Sequence, residues 1–305
     1  MNRNNTQTMV YAQKVELLLR LMPLVMEEGV FAVHGGSAIN LFLKNLPRYS
    51  VDIDLTYTPL ADRQKSIEEI NLHLKRIAGN AKKAFKGMRV VPNYSTCKLL
   101  CEYRGKQVKV EVNQTKRGIV GGEILHLPLS EKAQEEFGLY VEADIVPLSL
   151  LYGGKIAAAL SRQHPRDLFD VKYMDYPLAS CREGLIFCLI GSDRPIHESF
   201  APTLIDQREA MENQFSGMTD IEFSYDEFEQ TRAQLIAGVN AMMTDEDRRF
   251  LISFEEGTPQ WGGYEFSYFQ EYPSAQWKLL NLKKLAKQNP DKLHSEADKL
   301  QSILL

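Results

Sequence analysis

Apolar residues recur at helical spacing over residues 10–28, where Val15, Leu18, Leu19, Met22, Val25 and Met26 share one face. A short apolar run follows, Phe31-Ala32-Val33, and Gly35-Gly36 ends it. Ser37 stands where a helix N-cap belongs, ahead of Ala38, Ile39, Leu41 and Phe42 in helical register. Over residues 51–57 the period drops to two, which predicts a strand with Val51, Ile53 and Leu55 facing a core and Asp52 and Asp54 facing away. Residues 61–79 return to a helical period through Ile67, Ile70, Leu74 and Ile77. Strands are expected near Val90, Leu99 and Val110. In the last of these, Val108, Val110 and Val112 alternate with Lys109, Glu111 and Asn113, and the Arg104-Gly105-Lys106 turn pairs this strand with residues 99–103. Residues 124–141 read as mixed and loop-rich. Beyond Pro147 the pattern is mostly helical, with one helix over 148–161, a break at Pro165 and another over 167–175. Residues 193–207 read as irregular, 219–224 carry no clear pattern, 257–273 are aromatic and Gly-rich, and a final helix spans 274–287. The pattern predicts an α+β chain, with a mixed-sheet lobe over residues 1–147 and a mostly helical lobe over 148–305.

The chemistry concentrates where the period changes. Side chains two apart on a strand share a face, roughly 6.5–7 Å apart along the backbone, so Asp52 and Asp54 point the same way. Two such carboxylates repel each other unless a cation lies between them, and hard oxygen ligands suit Mg²⁺ together with substrate phosphate oxygens. A two-metal site stabilises both the attacking and the leaving oxygen of an in-line displacement. The bland reading of the same residues is an edge face with two solvated acids. Upstream, glycines let the backbone approach a ligand and a helix N-terminus offers free N–H groups to an anion, so Gly35-Gly36-Ser37 reads as a phosphate cradle or as a plain capped turn. Glu111 is a candidate third ligand, or the base that takes an acceptor hydroxyl proton, or a surface glutamate. In the helical half, Lys155, Ala159 and Arg162 share one face, Asp167 and Asp170 share a face of the next helix, and Arg166 stands at i, i+4 from Asp170. This set reads as a lysine for a triphosphate held by acids, or as a salt-bridge network that locks two helices.

These residues carry a family resemblance. The block Gly35-Gly36-Ser37-Ala38 through Arg48, Ser50, Asp52, Asp54 and Leu55 resembles the AbiEii/AbiGii-type toxin nucleotidyltransferases of type IV toxin–antitoxin (abortive infection) systems, within the DNA-polymerase-β-like nucleotidyltransferase superfamily. A second block, Lys155-Ile156-Ala157-Ala158-Ala159-Leu160-Ser161-Arg162 continuing through Arg166-Asp167-Leu168-Phe169-Asp170-Val171, narrows the resemblance to that family. A weaker third block begins at Met243-Thr244-Asp245-Glu246-Asp247, with Gly257 and Pro259 just after it. The resemblance implies a nucleotidyltransferase-fold sheet lobe, a nucleoside triphosphate as substrate and two magnesium ions. It implies Gly36 and Ser37 for phosphates, Asp52 and Asp54 for metal, and Lys155 with Asp170 in the later motif. Gly35, Arg48, Ser50, Arg162, Arg166 and Asp167 accompany them in the expected nucleotide site. It also implies transfer of a nucleoside monophosphate to tRNA, at its 3′ end, with growth arrest and a cognate antitoxin that need not touch the toxin. Ser50 occupies the place of a serine that some relatives phosphorylate, where a phosphate would repel a triphosphate. Two other readings share the first block: a transferase acting on an aminoglycoside-like small molecule or a protein side chain, and a non-catalytic nucleotide-binding module.

Composition changes this picture little. The chain has 305 residues, 44% hydrophobic and 25% charged, as expected of a globular protein without a membrane span. Four cysteines (Cys97, Cys101, Cys181, Cys188) lack zinc-type spacing, and reduced thiols in the cytoplasm are expected. A net charge of −4 does not announce a nucleic-acid binder. Two basic clusters stand out even so: Lys75, Arg76, Lys82, Lys83, Lys86 and Arg89, and then Lys278, Lys283, Lys284 and Lys287. Each is either a solvated face or a track for a phosphate backbone. The aromatics Trp261, Tyr264, Phe266, Tyr268 and Phe269 either stack on bases or pack under a loop.

Overall fold

The computed structural model describes residues 3–305. The chain divides into two compact units. The first holds the residues up to Ile119, Glu123–Pro147 and Met211–Glu222; the second holds Val120–Gly122, Leu148–Ala210 and Phe223–Leu305.

The first unit is a seven-stranded mixed sheet. In chain order it contains α1 (Arg3–Met26), β1 (Phe31–His34), the short helix α2 (Gly35–Ser37) running into a π-helical stretch Ala38–Leu43, β2 (Asp52–Tyr57), α3 (Arg63–Ala84), β3 (Arg89–Asn93), β4 (Lys98–Tyr103), β5 (Lys106–Val112), β6 (Leu125–Pro128), α4 (Glu131–Phe137) and β7 (Glu142–Ile145). The strands lie in the order β3-β4-β5-β2-β1-β7-β6. The β2–β5 and β1–β7 pairs are parallel and the others antiparallel. The alternation read from sequence holds: Ile53, Leu55, Val110 and Val112 are buried, and α1 and α3 pack on the sheet. The β4–β5 hairpin closes through Arg104 and Gly105, both in the left-handed region (φ 50° and 74°), with Tyr103 opposite Lys106.

Three local expectations are corrected. The helix α3 runs to Ala84, past 79, because Ala81 continues the buried face of Ile70, Leu74 and Ile77. The 124–141 region supplies an edge strand and a helix, and the strand that follows them, β7, lies inside the sheet beside β1. Ser37 does not cap a helix: the helical turn opens directly from His34, and Ser37 lies within it.

The second unit is helical. Its main elements are α5 (Leu148–Arg162), α6 (Pro165–Lys172), α7 (Arg182–Ile190), α8 (His197–Phe200), α9 (Arg208–Ala210), α10 (Tyr225–Met242), α11 (Asp245–Glu255), α12 (Pro273–Gln288) and α13 (Pro290–Leu304). Capping boxes start α10, through Ser224 and Glu227, and α11, through Thr244 and Asp247. Three of the five aromatics are core: Tyr264, Phe266 and Phe269 are buried, with Tyr264 stacked on Phe250 at a centroid distance of 4.0 Å and Phe269 on Phe187 at 5.2 Å, while Trp261 is half-buried and Tyr268 is exposed. Lys278 is buried and its ammonium donates to the Arg194 carbonyl at 2.7 Å, so it leaves the C-terminal basic cluster.

Helices α5 and α7 cross closely because two glycines meet there. A β-carbon on Gly184 would come within 2.0 Å of the Ser149 carbonyl oxygen, and one on Gly153 within 2.4 Å of the Gly184 backbone. A β-carbon on Gly79 of α3 would meet nothing within 4 Å. Gly184→Ala should therefore destabilise the protein by about 3 kcal/mol or more. Gly79→Ala should stabilise it by about 0.5–1 kcal/mol. Denaturant unfolding of both variants separates these signs.

Candidate active site

The site in the sheet unit is built by strand register. On the parallel β2–β5 pair, Asp52 lies opposite Lys109 and Asp54 opposite Glu111. Neighbouring strands stand about 4.8 Å apart, so all four charged side chains share the face opposite the buried valines. The antiparallel β1–β2 pair then sets His34 opposite Asp54, which brings the end of β1, and the glycine turn after it, beside the acids.

That turn is packed too tightly for side chains. Gly35 has φ +72°, and a β-carbon there would lie 2.9 Å from Asp54 Oδ2. A β-carbon on Gly36 would lie 2.7 Å from Ser50 Oγ and 2.8 Å from an Arg48 guanidinium nitrogen. The Ser37 hydroxyl donates to the Asp52 carbonyl and lies 3.2 Å from Ser50 Oγ. Asn40 Nδ2 donates to the Gly36 carbonyl at 2.9 Å. The residues expected to hold phosphates (Gly35, Gly36, Ser37, Arg48, Ser50) are thus gathered against the two aspartates by direct contacts.

The loop carrying Arg48 and Ser50 is fastened from far along the chain. The Tyr49 amide donates to the Met218 carbonyl at 2.7 Å, and the Thr219 hydroxyl donates to the Pro47 carbonyl at 2.7 Å. Residues 211–222 therefore serve the sheet unit, a role that no local sequence pattern announces.

Glu111 is not free. Its two carboxylate oxygens take the Lys98 and Lys109 ammonium groups, each at 2.8 Å. Burial raises its pKa, but the hydrogen bonds and charges of these lysines outweigh that and hold it below the usual glutamate value. Burial works against the charge of Lys109 as well, yet the hydrogen bond to Glu111 and the fields of Asp52, Asp54 and Glu111 keep its pKa above the ordinary lysine value. Lys98 and Lys109 are residues the sequence reading left out; the alternation that picked Glu111 had already put Lys109 on the same face.

The donor set fits magnesium in one specific way. Among the described residues, no three His, Cys, Asp or Glu side chains stand close enough to hold a metal ion. Asp52 and Asp54 offer hard oxygens, and Mg²⁺ keeps several waters and takes substrate phosphates beside one or two carboxylates. Two aspartates beside a glycine-lined turn suit that habit.

The second set lies in the helical unit. Helix α5 ends at Arg162, Gln163 adopts a left-handed φ of 50°, and Pro165 opens α6 under a cap in which the His164 ring accepts from the Arg166 amide at 3.2 Å. This corner turns Asp167 and Asp170 back onto α5. Lys155 Nζ donates to Asp167 at 2.9 Å and to Asp170 at 2.8 Å. Arg162 grips Asp167 with two nitrogens, at 2.5 and 3.0 Å. The Lys155 side chain is 5% exposed and those of Asp167 and Asp170 are 2% and 0% exposed. The Asp167 carboxyl is pushed up by burial but driven well below the usual carboxylate range by Lys155 and Arg162.

With this geometry in place, comparison with known proteins is decisive. The AbiEii family model, described as a nucleotidyl transferase toxin of type IV toxin–antitoxin systems, matches residues 16–279. The chain belongs to the AbiEii nucleotidyltransferase toxin family. Among solved structures the AbiEii chain is similar to MenT4, a nucleotidyltransferase toxin from Mycobacterium tuberculosis H37Rv. The TM-score is 0.60 at 13% identity over 89% of this chain and 93% of that one, a likeness of fold. No curated protein matches. No helix among the described residues of this AbiEii protein is long and apolar enough to cross a membrane.

The buried Lys155 pair makes a stability prediction with a definite sign. The Asp167 pKa is depressed in the folded protein, so the pair's contribution is fully present above the ordinary aspartate value of ~3.9 and is lost as pH falls through the depressed folded value. Lys155→Met removes the buried ammonium that bridges Asp167 and Asp170 and should cost about 3–5 kcal/mol near pH 7. In the variant Asp167 loses one of the two cations that hold its pKa down and protonates more readily, so the deficit should shrink as the pH is lowered toward ~4. Denaturant unfolding of wild type and variant across that range checks it; a deficit that is flat with pH would contradict the ion-pair account.

Proposed function

We infer that this AbiEii protein moves a nucleoside monophosphate from a nucleoside triphosphate to an acceptor hydroxyl, with the 3′ end of tRNA as the acceptor and growth arrest as the consequence. The observation that carries this reading is the Gly35-Gly36-Ser37 turn, joined to the Asp52 backbone by a hydroxyl and lying against Asp54. An anion site and a metal-type carboxylate pair are fixed to one another there.

In this reading the turn binds the triphosphate through backbone N–H groups, and Arg48 adds positive charge from behind it. Asp52 and Asp54 would hold Mg²⁺; when bound, the ion would neutralise charge on the phosphates and on the departing pyrophosphate. The acceptor oxygen forms a bond to the α-phosphorus, the bond to the β-phosphate oxygen breaks, and pyrophosphate leaves with that electron pair. The proton of the acceptor hydroxyl passes to Glu111 or to water. Lys98 and Lys109 each occupy one Glu111 oxygen, so a proton or a metal ion taken there competes with two ammonium charges. In the helical unit, Lys155 is the residue that the family pattern assigns to the nucleotide, with Asp170, Asp167, Arg162 and Arg166 supporting it. Positioning and charge stabilisation supply most of the rate. Membership of a type IV toxin family supports a cognate antitoxin as partner and a cytoplasmic setting.

Incubating the protein with each labelled nucleoside triphosphate, Mg²⁺ and total tRNA tests the reading. Label should move to tRNA, the transfer should stop on chelation of the metal, and Asp52→Ala should lower it by at least about 100-fold. Gly36→Ala should cut transfer comparably, because its methyl group collides with Ser50 and Arg48. Transfer that survives Asp52→Ala removes the assigned site; label that moves only to a small molecule or a protein replaces tRNA as the acceptor.

A further inference from the structure

Between residues 75 and 109 the chain carries ten Lys and Arg and a single acid, Glu102, although its overall net charge is −4. The fold gathers six of these cations at one end of the sheet. Lys82 and Lys83 close α3, Lys86 lies in the turn after it, and Arg89 opens the edge strand β3. Arg104 and Lys106 come from the β4–β5 turn. Phe85 packs on Tyr103 with ring centroids 5.6 Å apart, which holds the end of α3 against that hairpin, and the Arg104 guanidinium lies 5.1 Å over the same Tyr103 ring. All but the half-buried Lys106 are exposed. Among the described residues Arg89 alone of the six has a carboxylate partner, Glu102 at 3.6 Å.

Helix termini explain two of these charges, since lysines in a last turn face the negative end of the helix dipole. They do not explain Lys86, Arg89, Arg104 or Lys106, which sit on a turn, an edge strand and a hairpin. Solubility does not require them either, because they draw like charges together at a cost. The register gives them a direction. Lys109 is opposite Asp52, and Lys106 is three residues before it on β5, about 10 Å at ~3.3 Å per residue. Lys106 and Lys109 fall on opposite faces of β5, so the cations stand around the end of the sheet where β2 and β5 begin, and a chain lying over them reaches the acids by rounding that end.

We propose that this corner (Lys82, Lys83, Lys86, Arg89, Arg104 and Lys106) is the track for the phosphodiester backbone of the acceptor RNA, and that it seats the RNA so that its terminal hydroxyl reaches Asp52 and Asp54. The proposal rests on nucleotidyl transfer to RNA as the activity of the acid site. Charge complementarity selects the occupant. The corner offers repeated cations around a partly buried Phe85–Tyr103 pair that Arg104 covers, a surface in which charge outweighs apolar area and which suits a phosphate backbone.

The test uses the full-length protein and fluorescence anisotropy of labelled total tRNA, without triphosphate, over a range of salt concentrations. Replacing Lys86, Arg89 and Arg104 together by Ala should weaken binding roughly 10–100-fold at moderate salt and flatten the log–log salt slope by about 2–3. The melting temperature should stay near that of wild type, because the replaced side chains are exposed. In the transfer assay the triple variant should show a raised KM for tRNA with kcat at saturating tRNA nearly unchanged. Equal tRNA affinity and slope in wild type and variant would overturn the proposal, as would a corner that binds polyglutamate but no RNA. Corner-dependent RNA binding without any nucleotide transfer would leave the surface standing and reject the catalytic reading instead.

Discussion

The burial of Ile53, Leu55, Val110 and Val112 on one side of two adjacent parallel strands is the constraint on which the candidate site depends. A sheet has a side-chain period of two, so fixing these four inward fixes Asp52, Asp54, Lys109 and Glu111 outward. A slip of one residue would drive four charges into the core at a cost no local contact could offset. The acids are therefore held together by hydrophobic burial on the far side of the sheet, against their own repulsion. Lys109 relieves part of that repulsion from within the same row, and its raised pKa reflects the three carboxylates around it.

The glycine turn inherits its position from the same strands. His34 pairs with Asp54, and Ser37 binds the Asp52 carbonyl, so the backbone of the turn is located by strand pairing plus a single hydroxyl. Gly35 and Gly36 are needed because this pairing presses the turn against Asp54, Ser50 and Arg48. The segment 47–50 is in turn fastened to residues 211–222. The cradle thus depends on contacts of very different sequence separation.

This explains what the sequence alone could disclose. The alternation in 51–57 and 106–114 was legible because each strand is buried on one face, and the match of Lys155 to Asp167 and Asp170 because each partner set recurs at helical spacing. Ser37 was misread because the cap rule assumes an independent helix start, whereas here the helix opens straight out of β1. Strand β7 was invisible: four residues with two acids, Glu142 and Asp144, carry no strand pattern, and only pairing with β1 and β6 makes it one. The return of Met211–Glu222 to the sheet unit is a long-range event without local periodicity. Lys278 looked like part of a basic face because it precedes three lysines, yet its position in α12 turns it inward. The capping pairs Ser224 with Glu227 and Thr244 with Asp247 were there to be read, and would have placed α10 and α11.

Two lysine–carboxylate arrangements in one chain show how exposure decides what an ion pair can do. Around Glu111 the side chains are 30–38% exposed, so water competes for each partner and the pairs exchange at little cost. Around Lys155 the three side chains are at most 5% exposed, and any one charge left alone there would be strongly destabilising. The first arrangement suits a place where ligands must arrive and charges must rearrange. The second suits a charge whose position must not change. Lys155 donates to two aspartates that a proline-led helix fixes, and Arg162 doubles the grip on one of them, so its ammonium is held from several sides. The difference follows from the supporting elements: a pleated sheet leaves one face open to solvent, whereas a tight helical corner encloses what it carries.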